Sequence, residues 1–410
     1  MSHVVVVGAS LAGMSAVQAL RAAGHGDRIT VLDSAEVLPK DRPPLSKQVL
    51  AGEWDIGRAN QPVAGQLADL DVELRLGTPV HSLRADSRTV VLVDGEQLAA
   101  DGVVVATGSA ARNLPGEKPT GVHTLRTGRD AIALRDDLDA TEGPVVVVGA
   151  GFIGAEVAAT CRGRGLDVTM VEAADVPLQR ALPGDIGRFV AELHRDHGVD
   201  VRLGVGIESM ASTADGRVRS VELADGSSVE AAVVVVGIGA APQTSWLEGS
   251  GLELRPPEAG GGVLCDSTML AAPGIVAAGD VAAWPNPHFG GEVMRVEHWE
   301  NAIDQGTHAG RRLVAELGDG QAGPIDPFNS VPWFWTDQYD AKIQMVGRAG
   351  VDDEVVIVDG SPEERRFVAL FRRGDECRAA LGVNRARLVV QARMRLAESL
   401  EWDSVASLFD

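Results

Sequence analysis

The chain has 410 residues, of which 45% are hydrophobic and 23% are charged, and its formal net charge is −21. These proportions are ordinary for a globular protein, and the length suits two or three domains rather than one core. The negative charge argues against a nucleic acid partner, because phosphate binding needs a cationic surface. The apolar runs are too short for a membrane span, and the first strand pattern starts too near Met1 for a signal peptide. We therefore expect a cytoplasmic protein.

A run of four valines leads into a glycine-rich turn twice in the chain. Residues 4–7 precede Gly8-Ala9-Ser10-Leu11-Ala12-Gly13, and residues 145–148 precede Gly149-Ala150-Gly151-Phe152-Ile153-Gly154. Helix-compatible sequence follows each turn, so each segment predicts a strand–turn–helix unit whose backbone amides can hold a pyrophosphate. Two such units predict two bound dinucleotides.

An acidic residue closes each of these fingerprints. Asp33 and Glu172 each end a second apolar run, about 20 residues beyond the last glycine, where a ribose-binding carboxylate is expected. The first fingerprint departs from the pattern, because Ser10 replaces the middle glycine where the backbone usually comes closest to the pyrophosphate. Serine is small, so the match is weakened but not broken.

Further strand-and-turn signals lie on both sides of the second fingerprint. Residues 103–108 and 233–239 are valine runs that end in tight glycine turns, which predict crossovers between the two nucleotide units. Residues 273–281 predict a strand that delivers Asp280 to the head of a helix, where its carboxylate can bond to a polyol chain. The second nucleotide unit is thus predicted to interrupt the first.

The C-terminal part has a different pattern. From about residue 325 the sequence predicts antiparallel strands at 342–347, 354–358, 367–371 and 378–383, followed by a basic amphipathic helix from about Arg385 to Leu400. The three cysteines, Cys161, Cys265 and Cys377, form neither a CxxC pair nor a metal-ligand cluster. We therefore predict an α/β protein with two Rossmann-like domains and a C-terminal α+β domain, without a redox-active disulfide or a metal site.

At the level of motifs, the chain resembles the FAD-dependent, NAD(P)H-dependent ferredoxin reductases that serve bacterial monooxygenases and ring-hydroxylating dioxygenases. The most specific segments are RPPLSK at 42–47, EHWENA at 297–302 and PWFWTDQ at 332–338, and the similarity covers essentially the whole chain. The resemblance implies a fold of the glutathione reductase type. It implies an FAD-binding domain at 1–113 and 240–322, an NAD-binding domain at 114–239 and a C-terminal domain at 323–410.

The resemblance also implies which residues bind the two cofactors. Those implied around FAD are Gly8, Ser10, Ala12, Gly13, Asp33, Arg42, Lys47, Ala106, Thr107, Gly108, Arg126, Gly279, Asp280, Val281, Trp299 and Trp335. Those implied around the nicotinamide nucleotide are Gly149, Gly151, Phe152, Ile153, Gly154, Glu156, Glu172, Gly237 and Gly239.

Three of these residues are implied to act in catalysis. Lys47 and Glu156 would meet near the flavin N5, where a cation stabilises the anionic reduced flavin. Trp335 would pack against the flavin. The implied reaction is that of an NADH:ferredoxin reductase of the EC 1.18.1 type, in which FAD takes hydride from NADH and passes single electrons to an iron–sulfur ferredoxin, expected to be [2Fe–2S]. That ferredoxin would feed a cytochrome P450-type monooxygenase or a dioxygenase.

Charge patterns bear on both reaction partners. Glu172 is followed by Ala173 and Ala174, so a carboxylate would face the 2′-phosphate of NADPH with no adjacent arginine, and we expect NADH to be preferred. Between residues 360 and 395 nine arginines stand against four acidic residues. This excess could steer an acidic ferredoxin, or each arginine could be paired on a solvated face.

Three other functions occur among proteins with two such nucleotide units. A disulfide or peroxide reductase of the same fold needs a cysteine close to the flavin, and none of the three cysteines is suitably placed. A rubredoxin reductase differs mainly in its partner. An NADH-sensing protein resembling apoptosis-inducing factor would bind both nucleotides but transfer electrons slowly, and it would carry a targeting sequence and a C-terminal insertion that this sequence does not show.

Overall fold

A computed structural model describes residues 2–179, 181–318 and 324–410 of the chain. By its internal contacts the chain divides into two compact units. The first unit comprises Met1–Asp41, Asn60–Ala110 and Ala241–Pro332. The second unit comprises Arg42–Ala59, Ala111–Ala240 and Trp333–Asp410. Each unit contains one of the two glycine-rich fingerprints.

The strands in chain order are β1 (His3–Val7), β2 (Arg28–Leu32), β3 (Glu73–Arg75), β4 (Val80–Arg84), β5 (Thr89–Leu92), β6 (Gln97–Ala99), β7 (Gly102–Val105), β8 (Ser109–Ala111), β9 (Val122–Thr124), β10 (Val145–Val148), β11 (Val168–Glu172), β12 (Asp200–Leu203), β13 (Ile207–Ser212), β14 (Val218–Leu223), β15 (Ser228–Glu230), β16 (Val233–Val236), β17 (Ala240–Pro242), β18 (Val263–Leu264), β19 (Leu270–Ala272), β20 (Ile275–Ala277), β21 (Ala282–Asn286), β22 (Glu292–Arg295), β23 (Trp333–Gln338), β24 (Ala341–Gly347), β25 (Glu354–Ser361), β26 (Arg366–Arg373) and β27 (Glu376–Val383). The α-helices are α1 (Leu11–Ala22), α2 (Gly128–Ala140), α3 (Phe152–Gly163), α4 (Gly184–Asp196), α5 (Trp299–Leu317), α6 (Ala386–Glu398) and α7 (Trp402–Ala406). None of the helices in the described ranges is long and apolar enough to cross a membrane.

The first unit is built on a six-stranded sheet in the order β19-β20-β7-β1-β2-β3. The strands from β20 to β3 run parallel, and β19 is an antiparallel edge. The valines of β1 and β7 are buried, which explains why these strands read as continuous apolar runs rather than as alternating patterns. Two small three-stranded sheets, β4-β5-β6 and β18-β21-β22, complete the unit.

The packing of α1 against α5 is unusually close. A Cβ atom on Gly306 would lie 2.2 Å from the carbonyl oxygen of Ala12, and one on Gly310 would lie 2.6 Å from that of Ala16. Only glycine allows the two backbones to approach to this distance. The helix that begins at the first fingerprint is therefore fixed along its length by α5.

The second unit repeats the nucleotide-binding pattern and adds the C-terminal sheet. Its five-stranded parallel sheet has the order β12-β11-β10-β16-β9, and β13-β14-β15 forms a small antiparallel sheet. The C-terminal strands form an antiparallel sheet in the order β23-β24-β27-β26-β25. The predicted α/β fold with two Rossmann-like units and a C-terminal α+β part is confirmed, and so are the four predicted C-terminal strands and the basic helix, which is α6.

Two local features differ from the sequence-based expectations. Asp280 does not stand at the head of an α-helix, because Gly279–Val281 is a single 3-10 turn and the chain continues as β21. This strand is paired on both sides and its residues Ala282, Ala283 and Trp284 are fully buried, so sheet pairing overrides the helix propensity of alanine. The tryptophan-rich segment 333–338 was not predicted as a strand and forms β23.

The first and last glycines of each fingerprint are required for different structural reasons. Gly8 and Gly149 have φ angles of 110° and 94°, a region that favours glycine. A Cβ on Gly13 or Gly154 would lie 1.8 or 2.0 Å from the carbonyl oxygen of the first glycine of the same turn. The first and last glycines are therefore required by the protein fold itself.

The middle position has no such restriction. Gly151 has a φ of −74°, and Ser10 in the first unit has a φ of −87°, which are ordinary for any residue. A Cβ on Gly151 would meet only the carbonyl oxygen of Gly237, at 3.8 Å. This explains why serine can occupy the middle position without disturbing the turn.

A pair of matched substitutions tests this distinction. We expect Gly154→Ser to lower the free energy of unfolding by about 1–3 kcal/mol, because a backbone oxygen blocks the new side chain. Gly151→Ser should change it by no more than about 0.5 kcal/mol, since serine is also a good helix N-cap. Urea unfolding of both variants checks the prediction, and equal losses in the two variants would contradict it.

Candidate functional site

In the first unit, the glycine turn and the acidic residue of the fingerprint are joined by hydrogen bonds. The backbone N–H of Ala9 donates to Asp33 Oδ2 at 2.7 Å, and the N–H of Ala35 donates to Asp33 Oδ1 at 2.8 Å. The carboxylate is thus held at the end of β2, next to the turn between β1 and α1. This is where a dinucleotide ribose is bound in such units.

The second unit has the same arrangement. The N–H of Ala150 donates to Glu172 Oε2 at 2.8 Å, and the N–H of Ala174 donates to Glu172 Oε1 at 3.0 Å. Phe152 begins α3, and Ile153 beside it is 45% exposed although it is large and apolar. Gly237, which follows β16, lies against Gly154, and Gly239 has a φ of 100°. The two predicted nucleotide sites therefore use matching geometry.

Other predicted site residues of the first unit gather near the start of α1. A Cβ on Gly279 would lie 2.8 Å from the Cβ of Ala12, so the 3-10 turn that carries Gly279, Asp280 and Val281 touches this helix. Asp280 is buried and accepts a hydrogen bond from Ser109 Oγ at 2.9 Å. Its position at the carboxyl end of β20 suits a carboxylate that accepts hydrogen bonds from the hydroxyl groups of a ligand.

Gln305 contributes a buried amide to the same region. Its Oε1 accepts a hydrogen bond from the N–H of Gly279 at 2.9 Å, whereas its Nε2 has no partner among the described residues. A fully buried amide donor without a partner is costly unless a ligand satisfies it. The cluster thus fits a bound dinucleotide, and sequence reasoning missed Gln305 because an isolated glutamine inside a helix carries no motif.

The remaining predicted residues of the first unit lie at strand ends or at a helix start. Ala106 is buried after β7, and Gly108 has a φ of 69°. Thr107 is tied to Gln243 by two hydrogen bonds, one from Thr107 Oγ1 to the Gln243 carbonyl and one from Gln243 Nε2 to the Thr107 carbonyl. Trp299 begins α5, and its Nε1 donates to Asp41 at 2.7 Å.

In the second unit, Lys47 and Glu156 form a buried ion pair. Lys47 Nζ lies 3.1 Å from Glu156 Oε1, and the two side chains are only 13% and 6% exposed. Ser46 Oγ donates to Oε2 of the same carboxylate, and Thr336 Oγ1 donates to Oε1 at 2.8 Å. The pair that the sequence predicted is therefore brought together, with two hydroxyl donors that sequence reasoning did not assign.

The segment that carries Lys47 is fastened to α3 by its backbone. Thr160 Oγ1 donates to the Ser46 carbonyl at 2.7 Å, and Arg164 Nη1 donates to the Leu50 carbonyl at 2.9 Å. Leu45, Val49 and Leu50 are buried in the core around β10 and α3. The lysine thus has a rigid support although no regular helix carries it.

Trp335, Arg42 and Arg126 also lie in the second unit. Trp335 is half-buried on β23 and stacks on Trp333, with ring centroids 5.0 Å apart. Arg42 begins the segment that contains Lys47, and its carbonyl accepts a hydrogen bond from Leu45. Arg126 follows β9, and its backbone N–H donates to Asp130 in the capping box at the start of α2.

The three cysteines are buried and carry free thiols. Burial raises the pKa of each thiol, for Cys161, Cys265 and Cys377 alike, to about 12. Thiols of this kind are unreactive, because the thiolate is the reactive form. No group of metal-ligating side chains occurs within the described ranges.

The arginine-rich C-terminal segment is less cationic than its sequence indicates. Seven of its nine arginines are paired with a carboxylate or lie over a tryptophan ring; these are Arg365, Arg372, Arg373, Arg378, Arg385, Arg393 and Arg395. Arg387 is exposed, and no ion pair for it is found in the described part of the chain. It lies on α6 together with Arg393, Arg395 and the exposed side chains of Val390 and Met394. We call the exposed side of α6 that Arg387, Val390 and Met394 form the α6 face.

Two family models match the chain. One, described as pyridine nucleotide-disulphide oxidoreductase, matches residues 2–306, and the other, described as reductase C-terminal, matches residues 333–409. The chain is 36% identical over 400 residues to rhodocoxin reductase of Rhodococcus erythropolis, which covers 97% of this chain and 90% of that protein.

Solved structures are similar over their whole length. The ferredoxin reductase for the CYP199A2 system of Rhodopseudomonas palustris is 33% identical, with a TM-score of 0.90, and the match covers 100% of this chain and 98% of the other. The reductase in a covalent putidaredoxin reductase–putidaredoxin complex is 30% identical, with a TM-score of 0.88 and coverage of 97% and 93%.

Proposed function

This chain belongs to the FAD-dependent ferredoxin reductases of the pyridine nucleotide-disulphide oxidoreductase family, and we propose the residues and surfaces through which it works. It is an NADH-dependent reductase of the EC 1.18.1 type, its acceptor is an iron–sulfur ferredoxin, and that ferredoxin feeds a cytochrome P450-type monooxygenase or a dioxygenase. FAD, when bound, accepts two electrons from NADH and gives them one at a time to the ferredoxin. The family assignment favours this activity over the rubredoxin reductase and NADH-sensing alternatives.

The residues of the first unit are suited to hold FAD. We propose that the turn from Gly8 to Gly13 binds the pyrophosphate, that Asp33 binds the adenosine ribose and that Asp280 binds the ribityl chain. The unpartnered Nε2 of Gln305 beside Gly279 supports a ligand at this place. By the same reasoning the turn from Gly149 to Gly154, with Glu172, binds NADH. The proposed domain boundaries remain 1–113 with 240–322, 114–239 and 323–410.

The buried pair of Lys47 and Glu156 is the observation that carries the catalytic proposal. The carboxylate at 3.1 Å compensates for the burial of the ammonium group and holds it in one position. We propose that Lys47 supplies the positive charge that stabilises the reduced flavin, and that Glu156 positions this lysine. Trp335 is proposed to cover the flavin ring.

Replacing the lysine tests this role. Lys47→Met keeps most of the side-chain volume and removes the charge, so we expect NADH to reduce the bound flavin about 100-fold more slowly, at unchanged FAD content. Stopped-flow absorbance of the flavin measures the rate. Lys342→Met, at an exposed lysine of β24, is the matched control and should retain the wild-type rate. A Lys47→Met protein as fast as this control would disprove the proposal.

The preference for NADH is proposed to rest on Glu172. Its carboxylate is fixed by the N–H groups of Ala150 and Ala174, so it cannot turn away from an added 2′-phosphate without losing both hydrogen bonds. The two alanines that follow it offer no cation to bind the phosphate.

We expect kcat/KM to be higher for NADH than for NADPH. Glu172→Ala should lower the ratio of kcat/KM for NADH to kcat/KM for NADPH by about tenfold, because it removes the repulsion between the carboxylate and the 2′-phosphate. Steady-state kinetics with both nucleotides measure the ratio. Glu208→Ala, at an exposed carboxylate of the same unit, should leave it unchanged. Equal or better use of NADPH by the wild-type protein would contradict this account.

The α6 face is proposed as the ferredoxin docking surface. It combines the exposed Arg387 with the apolar side chains of Val390 and Met394, which are 54% and 65% exposed. Cationic side chains steer an acidic partner, and apolar side chains stabilise the contact once formed. In a chain with a net charge of −21, such a local surface is distinctive.

Charge reversal tests the docking proposal. Arg387→Glu should raise the KM for ferredoxin about tenfold and weaken its dependence on salt, while NADH-driven ferricyanide reduction stays at the wild-type rate. Arg219→Glu makes the same charge change at an exposed position of β14 and should have little effect. Equal effects of the two variants would show that only net charge matters and would refute the α6 face as the docking surface.

We also propose that the protein works in the cytoplasm. Its three free, buried thiols are compatible with a reducing compartment, and its donor NADH is a product of cytoplasmic metabolism. A fractionation experiment on the producing cells, probed with an antibody to the chain, would place it.

A further inference from the structure

A line of buried polar side chains leads away from the Glu156 carboxylate within the second unit. Thr336 Oγ1 lies 2.8 Å from Glu156 Oε1, and Gln338 Nε2 lies 3.3 Å from Thr336 Oγ1. Gln338 Oε1 lies 3.1 Å from His194 Nε2, and His194 Nδ1 lies 2.9 Å from the hydroxyl of Tyr339. Thr336, Gln338 and His194 are at most 1% exposed. Four consecutive hydrogen bonds therefore connect Tyr339 to the carboxylate.

The direction of these hydrogen bonds is fixed by chemistry. The Glu156 carboxylate accepts from Lys47, and Thr336 donates its single hydroxyl proton to the same oxygen. Thr336 then accepts from the amide of Gln338, whose oxygen must accept from Nε2–H of His194.

The histidine completes this order. Burial lowers the pKa of His194 to about 4, so the ring is neutral at pH 7 and its Nδ1 accepts from the hydroxyl of Tyr339. Every donor in the line therefore points toward Glu156. Hydrogen bonds aligned in one direction polarise one another, so each strengthens the one at the carboxylate.

Tyr339 is held in place at a conformational cost. It occupies the turn between β23 and β24 with a φ of 56°, a left-handed conformation that a bulky residue rarely adopts. Its ring stacks on His197, with centroids 3.7 Å apart and an interplanar angle of 7°. Such strain persists only where surrounding contacts enforce it, and functional sites are where it concentrates.

We propose that Thr336, Gln338, His194 and Tyr339 form a positioning relay that holds the Glu156 carboxylate toward Lys47 and thereby sets the rate of flavin reduction. This inference rests on the proposed role of the Lys47–Glu156 pair. The amide of Gln338 interrupts proton transfer, because it would have to pass through an imidic acid form, so the relay orients and polarises rather than conducts protons. All four are positioning residues, since none is assigned a contact with a cofactor.

The relay is tested by stopped-flow reduction of the bound flavin with NADH. Thr336→Val removes the donor to Glu156 at equal volume and should slow the rate at saturating NADH about tenfold, with the NADH concentration for half-maximal rate unchanged within about twofold. Thr336→Ser restores the hydroxyl and should recover the rate to within about twofold of wild type. Thr307→Val is the matched control and should be as fast as wild type, because the Thr307 hydroxyl donates to the carbonyl of Ile303 within α5 and has no other hydrogen bond among the described residues.

A double-mutant cycle separates a relay from independent packing effects. Tyr339→Phe keeps the stacked ring and removes the terminal donor, so it should slow flavin reduction about threefold in the wild-type background. In the Thr336→Val background, where the line is already interrupted, it should change the rate by less than about 1.3-fold. If Thr336→Val does not retain FAD, the same comparison is made in the Thr336→Ala and Gln338→Met backgrounds.

The outcomes distinguish this inference from the proposed function. A Glu156→Gln protein with the wild-type rate would overturn the role of the ion pair and the relay with it. A slow Glu156→Gln protein, combined with wild-type rates for Thr336→Val and Tyr339→Phe, would overturn the relay alone. Additive effects of Thr336→Val and Tyr339→Phe would also overturn it, because they would show that the two side chains act separately.

Discussion

The carboxylate of Glu156 is the point on which the arrangement of the second unit depends. It lies on α3, the helix that starts at the second fingerprint, and it accepts hydrogen bonds from Ser46, from Thr336 on β23 and from Lys47. A buried ion pair is tolerated only when its remaining hydrogen-bonding capacity is satisfied, and here hydroxyl groups from two separate segments do so. The helix that presents the nucleotide-binding turn therefore also fixes the lysine charge.

The same glycine-rich turn occurs in both nucleotide units, and its glycines meet the same requirements in each. Gly8 and Gly149 need their positive φ angles, and Gly13 and Gly154 need the absence of a Cβ, because protein backbone lies against them. The middle position needs neither, which is why serine stands there in one unit and glycine in the other. Within this six-residue motif, the first and last glycines are thus required by the protein fold, whereas the middle position is not.

Much of this could be predicted from the sequence. Valine runs that enter glycine turns are local signals, and they predicted both parallel sheets, while the family resemblance implied that Lys47 and Glu156 lie together. The strand β21 after Asp280 was not predicted, since pairing with two distant neighbours decides its conformation. Gln305, Thr336 and His194 were missed for the same reason, because only the tertiary fold brings their side chains to the site. The arginine count overstated the cationic surface because carboxylates outside the segment, such as Asp196, Asp353 and Asp359, neutralise several of its arginines.

Electrons pass from NADH through this protein to an iron–sulfur ferredoxin. The most direct measurement is NADH-driven reduction of cytochrome c by the purified, FAD-loaded protein, with and without an added [2Fe–2S] ferredoxin. We expect a slow rate without ferredoxin and a large, saturable increase with it. A flavin that NADH reduces readily, but whose reoxidation no [2Fe–2S] ferredoxin accelerates, would contradict it.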